Sequence, residues 1–370
     1  MKAVSLVPHT TNISLKDIDE PQISSPNDIK IKVLQGGICG TDREEAEGGR
    51  ADAPAGKHEL VIGHEMFGVV VETGSEVKAV SPGDYGLFTV RRGCGACEAC
   101  LKDRPDMCFS GRYTERGIRG ADGFQTEFVV DQERYFIKVP GEIKHLGVLT
   151  EPMSVAAKAI DEALIIQQAR LHGIIPAENW LKGRKALVAG LGPIGLLAAF
   201  ALRLQGANVI GLDIVDENSL RANILKEIGG IYIDGRVVKT TDVDDACGEV
   251  DFVFEATGIT QLQLQLIDTL AVNGIYVATG IPAGDRPLTI MAGEILQQLV
   301  LKNQILLGSV NASMLHYRMA VDYLQKSRET WPGVIEKVIT NKIPYSRFQE
   351  AIFSHTTNEI RVVVDWADGM

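Results

Sequence analysis

An α/β chain in two parts, a β-rich amino-terminal domain followed by a doubly wound parallel-sheet domain, is the fold class that this 370-residue sequence predicts. Three features predict it. In KALVAGLGPIGLLAAFALRLQGANVIGLD an apolar run, a glycine turn, a helical run and a second apolar run follow one another. Downstream, GIYID, VDFVFEATG and GIYVATG read as strands alternating with helices at DENSLRANILKEIGG and QLQLQLIDTLAVNG, which is how a parallel sheet is built. The first 150 residues lack that alternation and carry short valine-rich strands, many glycines and turns such as SPGD at Ser81 to Asp84, the texture of an antiparallel β domain. The expected boundaries are 1–150 for the β domain, 151–312 for the parallel sheet and 313–370 for a return to the first domain. The length itself favours two cores over one.

Composition excludes several function classes. With 37 basic and 48 acidic residues the net charge is −11, and no lysine or arginine block stands out, so nucleic acid is not expected as a partner. No apolar run reaches the roughly eighteen residues of a membrane span, and MKAVSLVPHTTNIS has no secretory pattern. A cytoplasmic location is expected. There, clustered cysteines read as metal ligands more readily than as disulfides.

Along the chain, the strand-like IKIKVL leads to GGICGTDREE and Cys39, and LVIGHEMFGVVVETG places His64 and Glu65 ahead of a valine-rich strand. LTEPMSVAAKAI carries Glu151 just ahead of a helix. One sulfur, one imidazole and carboxylates from separate segments suit a catalytic zinc, which keeps a position open for water or substrate. Each residue has a plainer reading: Cys39 as a small buried hydrophobe, His64 as a core histidine, Glu151 as a helix-start carboxylate.

RRGCGACEACLKDRPDMCFSG holds four of the six cysteines, Cys94, Cys97, Cys100 and Cys108. Its glycines and proline break every apolar period, so hydrophobic burial cannot order it. The spacing predicts a closed, structural zinc held by four sulfurs, a type of site that supplies roughly 10 to 16 kcal/mol of ordering in small zinc peptides. Arg91, Arg92, Lys102 and Arg104 are expected to offset the thiolate charge. Free thiols, or a redox pair among them, are the competing reading.

Gly190, Gly192 and Gly195, with Pro193 and Ile194 between them, form G-x-G-x-x-G between a strand and a helix. The three glycines serve a tight turn, close approach of a pyrophosphate and helix–strand packing, and the helix start faces the phosphates. Asp213, eighteen residues after Gly195, closes the second strand where a carboxylate accepts ribose hydroxyls, and Ile214 and Val215 follow with no arginine for a 2′-phosphate. NAD is therefore expected over NADP. Thr257, Gly258 and Gly280 sit at later strand ends, where the nicotinamide half would lie.

GHE, the four-cysteine lobe and GLGPIG, in that order, resemble the zinc-containing medium-chain dehydrogenase/reductase family. Within it, CGTDRE, RRGCGAC, LTEPMSVAAKAI and GSVNA resemble the glucose dehydrogenases typical of archaea. The resemblance implies a GroES-like catalytic domain joined to a Rossmann domain, with the active site in the cleft between them. It implies two zinc ions per chain. The catalytic one would be held by Cys39 and His64, with Glu65 and Glu151 as remaining candidates, one through water. Thr41 would take part in substrate hydrogen bonding and proton transfer, Glu115, Glu151 and Asn311 would bind the sugar, and Asn311 would also reach the cofactor. The implied reaction is hydride transfer from the anomeric carbon of an aldose to NAD, or NADP, giving a lactone, in a homodimer or homotetramer.

Two departures qualify the substrate: Val90 stands where some sugar-oxidising relatives carry an amide, and no histidine follows Cys39 closely enough for the relay of zinc alcohol dehydrogenases. A polyol, amino-alcohol or other secondary-alcohol dehydrogenase is the alternative within the family. A zinc-stabilised NAD-binding sensor without turnover is the alternative outside it.

Overall fold

The computed structural model describes residues 1–174, 180–282, 287–356 and 358–367. They form two compact units, one of Met1–Ser154, Asn311–Leu324 and Ile339–Met370, the other of Val155–Val310 and Gln325–Val338.

The first unit is organised by one long strand, Asp28–Ile38. Ile29, Ile31 and Val33 alternate into the core with no exposure, as period-two patterning requires. This strand pairs antiparallel with Phe128–Gln132, Met66–Thr73 and Arg361–Asp365. Register then assembles the metal-ligating segments. Gly36 lies opposite Met66, and the Gly37 N–H donates to the Glu65 carbonyl at 3.1 Å, so His64 and Glu65 arrive beside the end of the strand. Ile38 lies opposite Val362, which brings Arg361 alongside Cys39. Glycine is required at Gly37, because a Cβ there would stand 2.1 Å from Glu65 Oε2.

Cys39 ends the strand and caps the short helix Gly40–Ala46, which carries Thr41 in its first turn. The cysteine loop is less irregular than its glycines suggest: it holds a one-turn helix, Glu98–Leu101, and a 3₁₀ turn, Pro105–Met107. At its base Arg91–Arg92 pairs antiparallel with Thr114–Arg116, setting Arg91 opposite Glu115. Glu151 lies inside the helix Thr150–Arg170, in its first turn, and not ahead of it. Pro152 beside it needs no N–H partner at that position.

In the second unit six strands are all parallel, in the order Ile231–Asp234, Asn208–Asp213, Lys185–Ala189, Val250–Glu255, Leu270–Ala278 and Ile305–Gly308. Lys185–Ala189, the first of the six along the chain, has its successors on both sides. Its carboxyl end is thus the switch point where doubly wound sheets bind ligands. Its near-continuous apolar run is what burial on both faces demands: Ala186, Leu187, Val188 and Ala189 have no exposure.

The helix expected over QLQLQLIDTLAVNG is shorter. Thr260–Gln265 is α-helical, Leu266–Thr269 tightens into a 3₁₀ turn, and the strand begins at Leu270. Leu270 leaves the helix to pair with Val250, and Asn273 adopts a φ of 61° near the irregularity that follows. The helix in DENSLRANILKEIGG likewise begins late, at Leu220, after Ser219 Oγ accepts the Ala222 N–H at 3.3 Å. Among the described residues no helix is long and apolar enough to cross a membrane.

Candidate active site and metal centres

Cys39, His64 and Glu65 converge in the first unit, with one ligand atom from each within 4.8 Å of the others. His64 is 5% exposed and Glu65 1%. His64 Nδ1 faces Asp42 Oδ1 at 3.4 Å, which turns Nε2 toward Glu65 Oε1 at 3.8 Å. Asp42 is fully buried and its second oxygen accepts the Cys39 N–H at 2.7 Å. One carboxylate thus fixes both the imidazole and the backbone of the thiol, the supporting arrangement that metal-binding histidines use. The sulfur, nitrogen and oxygen donors number fewer than four and fit a catalytic zinc.

In the metal-free chain the Cys39 thiol and the His64 imidazole stabilise each other's charged forms. Burial would raise the Cys39 thiol, but the hydrogen bond and charge of His64, with the charge of Arg361, bring it down to about 6. Burial would lower His64, and Asp42 and Cys39 together hold it well above the ordinary histidine value. Arg361, 3% exposed, pairs with the Glu65 carboxylate. Burial lowers its pKa, against the raising charges of Cys39 and Asp42.

Glu151, 7% exposed, lies outside the close donor trio. Burial pushes it up to about 7; His64 opposes the rise, while Cys39, Asp42 and Glu115 add to it. Its ionisation therefore responds to Cys39 and His64 and to Glu115. Glu115 accepts the Asn311 amide at 2.9 Å, uniting two candidate substrate residues that lie far apart in sequence. Asn311 takes a φ of 60°, a left-handed conformation that asparagine tolerates. Val90 is buried at 1% exposure and gives its N–H to Tyr317 Oη at 3.3 Å, with no polar side chain to offer.

In the cysteine loop the four sulfurs lie within 4.8 Å of one another, with Cys94–Cys100 and Cys97–Cys108 both at 3.9 Å. A tetrahedron with metal–sulfur bonds of about 2.3 Å has edges of roughly 3.8 Å, so these residues fit a four-sulfur zinc. The Ser110 hydroxyl, with backbone N–H groups of Ala96 and Cys97, holds Cys94 at about 5. Burial, with the Cys97 and Cys108 thiols, pushes Cys100 up to about 12. The neighbouring cations turn elsewhere: Arg91 to Glu115, Arg92 to Asp131, Lys102 to Glu98 and Arg104 to Asp106. These cations are paired with carboxylates and not with the sulfurs, so the expected thiolate neutralisation is not made by them.

In the second unit Gly190 has a φ of 86°, and a Cβ on Gly195 would stand 1.8 Å from the Gly190 carbonyl oxygen. A Cβ on Gly192, the residue capping the helix Pro193–Leu204, would meet nothing within 4 Å. The loop is closed on itself at its first and third glycines and open at the second, the cradle a pyrophosphate requires. Asp213 Oδ2 accepts the Leu191 N–H of this loop at 2.6 Å, and Arg221 Nη1 lies 3.9 Å from the same oxygen. The Asp213 sequence neighbourhood showed no arginine; the helix Leu220–Glu227 supplies one in space. Thr257 and Gly258 are organised by the fully buried Glu255, whose Oε1 accepts the N–H of Thr257 at 2.6 Å and of Gly258 at 3.0 Å. Gly280 packs against this turn, since a Cβ on it would stand 2.2 Å from the Gly258 nitrogen.

Comparison with known proteins gives the same architecture. Residues 144–366 match the family model described as glucose dehydrogenase C-terminus, and residues 25–141 match the alcohol dehydrogenase GroES-like domain. Glucose 1-dehydrogenase 2 of Vulcanisaeta moutnovskia is 37% identical over 99% of both chains. The chain belongs to the glucose dehydrogenase family of zinc-containing medium-chain dehydrogenases. Glucose 1-dehydrogenase of Thermoproteus tenax is 36% identical over 98% of this chain and 99% of its own. The structure of Haloferax mediterranei glucose dehydrogenase in complex with NADP, Zn and gluconolactone superposes with a TM-score of 0.88 at 32% identity, covering 99% of each chain.

For a glucose dehydrogenase family member, the residues that sequence reasoning missed are the supporting ones. Asp42 lies within the quoted CGTDRE but gave no signal of its own, Arg361 is about three hundred residues from the glutamate it pairs with, and Glu255 ends a strand otherwise read only as apolar.

Proposed function

We propose that this chain is a zinc-dependent, NAD(P)-linked aldose dehydrogenase that oxidises the anomeric carbon of glucose or a related sugar to a lactone. The observation that carries the reading is the incomplete donor set of Cys39, His64 and Glu65, in a chain that also sets the Glu115 carboxylate against the Asn311 amide. An incomplete set suits catalysis, and a carboxylate–amide pair suits vicinal hydroxyls.

In this reading one zinc is catalytic and a second is held by Cys94, Cys97, Cys100 and Cys108. When bound, the catalytic zinc supplies a charge that acidifies an alcohol oxygen, and the nicotinamide accepts the hydride. The protein's own contribution is alignment. Asp42 fixes the face that His64 presents, and Arg361 holds the Glu65 carboxylate. Thr41 is the second residue of the helix after Cys39, and its hydroxyl would serve substrate hydrogen bonding and proton transfer. Glu151 is the buried carboxylate offered as a further ligand or proton carrier at this site.

The loop at Gly190–Gly195 receives the pyrophosphate and Asp213 the adenosine ribose, with NAD preferred and NADP accepted beside Arg221. None of the six cysteines is joined in a disulfide, in keeping with the expected reducing cytoplasm. The edge strand Ile305–Gly308, with Leu306 45% exposed, is the surface for a homodimer or homotetramer.

Absorbance of reduced nicotinamide tests the reading on zinc-replete protein, with NAD and then NADP, across glucose, galactose, xylose, sorbitol and threonine. Turnover with an aldose supports it. Turnover only with sorbitol or threonine moves the substrate to a polyol or amino alcohol, and cofactor binding without any turnover favours a sensor.

A further inference from the structure

The two oxygens of Glu115 are treated differently. Oε1 accepts from Arg91 Nε at 3.1 Å, from Arg91 Nη2 at 2.8 Å and from Asn311 Nδ2 at 2.9 Å. Among the described residues Oε2 accepts no hydrogen bond, and it is not among the buried atoms left without a partner. The remaining arm of the guanidinium, Nη1, donates to the Asp106 carbonyl at 2.9 Å, two residues before Cys108. The Tyr113 ring covers the guanidinium, its centroid 3.8 Å from Cζ. The Arg91 side chain is 6% exposed and that of Glu115 13%.

A carboxylate turning about its last bond presents either oxygen, or neither cleanly. Three donors on Oε1 remove that freedom. The guanidinium suits the task because its donors lie in a rigid plane that matches a carboxylate. Its third nitrogen is anchored on backbone, so the plane is tied to the four-cysteine loop as well as to Glu115.

Resting on the reading of Glu115 as a sugar contact, we propose that Arg91 is a positioning residue that locks Glu115 Oε1 to the backbone of the cysteine loop and leaves Oε2 to receive a sugar hydroxyl. Arg91 itself touches no substrate. The strand register that sets it opposite Glu115 builds the arrangement before substrate arrives.

Steady-state kinetics of Arg91→Lys, Glu115→Gln and the double variant, with D-glucose and with cofactor as the varied substrate, test this. Lysine keeps the charge and loses the fork, so KM for glucose should rise roughly tenfold, the scale of one charge-assisted hydrogen bond. KM for the cofactor should stay within about twofold, and the double variant should be little worse than Glu115→Gln, because Arg91 acts through that carboxylate. An unchanged glucose KM in Arg91→Lys overturns the proposal, as does a loss that adds in full to that of Glu115→Gln, or an equal rise in both KM values. If Arg91→Lys does not accumulate as folded protein, Tyr113→Leu, a half-buried change that uncovers the guanidinium, is held to the same outcomes. Glu115→Gln with unaltered glucose KM overturns instead the reading of Glu115, a failure separate from that of Arg91 alone.

Discussion

Glu45 gives the sharpest test of the electrostatics behind the donor trio. It lies on the helix Gly40–Ala46 with no exposure, and neither carboxylate oxygen has a hydrogen-bond partner. Burial first, and then the charge of Asp42, raises its pKa from 4.5 to about 9. Between those two values the folded chain holds a proton that the unfolded chain has released. Stability from this group is therefore fully present below pH 4.5, falls as pH rises, and stops falling near 9.

Glu45→Gln keeps the shape and removes the titration. Each pH unit above 4.5 disfavours the parent by about 1.4 kcal/mol, so near pH 7 the variant should be more stable by about 3 kcal/mol. Urea unfolding of metal-free parent and variant, at half-unit steps from pH 4.5 to 9, measures the difference directly; most other titrating groups cancel in it. The predicted difference starts near zero and grows with pH. A flat difference, or a variant that weakens relative to the parent as pH rises, would refute the claim that this carboxyl folds protonated.

Other expectations are simpler to state. Cys100→Ser should lower thermal stability and zinc content far more than it changes cofactor affinity in the protein that remains folded; parent-like stability without loop metal would contradict a structural role. Cys39→Ala should fold, bind cofactor and lose turnover by at least about a hundredfold, since it removes a ligand from an already incomplete set. Arg221→Leu should raise KM for NADP by roughly tenfold while leaving NAD little affected, the scale of one lost phosphate contact. Equal losses with both cofactors would remove Arg221 from 2′-phosphate recognition.

How far the molecule could be read from its sequence depended on how local each signal is. Five of the six parallel strands declare themselves through apolar runs and glycine stops, and the central ones are largely apolar because both of their faces are buried. The cysteine loop is legible because its ligands sit within fifteen residues. Cys39, His64 and Glu65 come from different segments, and only register along Asp28–Ile38 joins them. Arg361 is brought in by a strand from the far end of the chain, which no spacing rule reaches. The late start of the helix at Leu220 and the early end of the one at Gln265 reflect choices the core makes: Ser219 caps, and Leu270 is drawn into the sheet. Arg221 is a milder case at the cofactor end: it lies eight residues past Asp213, beyond the strand end where the pattern is read, and the helix Leu220–Glu227 turns it back beside that carboxylate.

The most direct measurement of the central claim is the fate of the anomeric hydrogen. D-glucose deuterated at its first carbon, supplied with cofactor to zinc-replete enzyme, should yield reduced nicotinamide carrying the deuterium, with a lactone as the other product. Reduced cofactor without the label, or no reduced cofactor from any aldose, would contradict it.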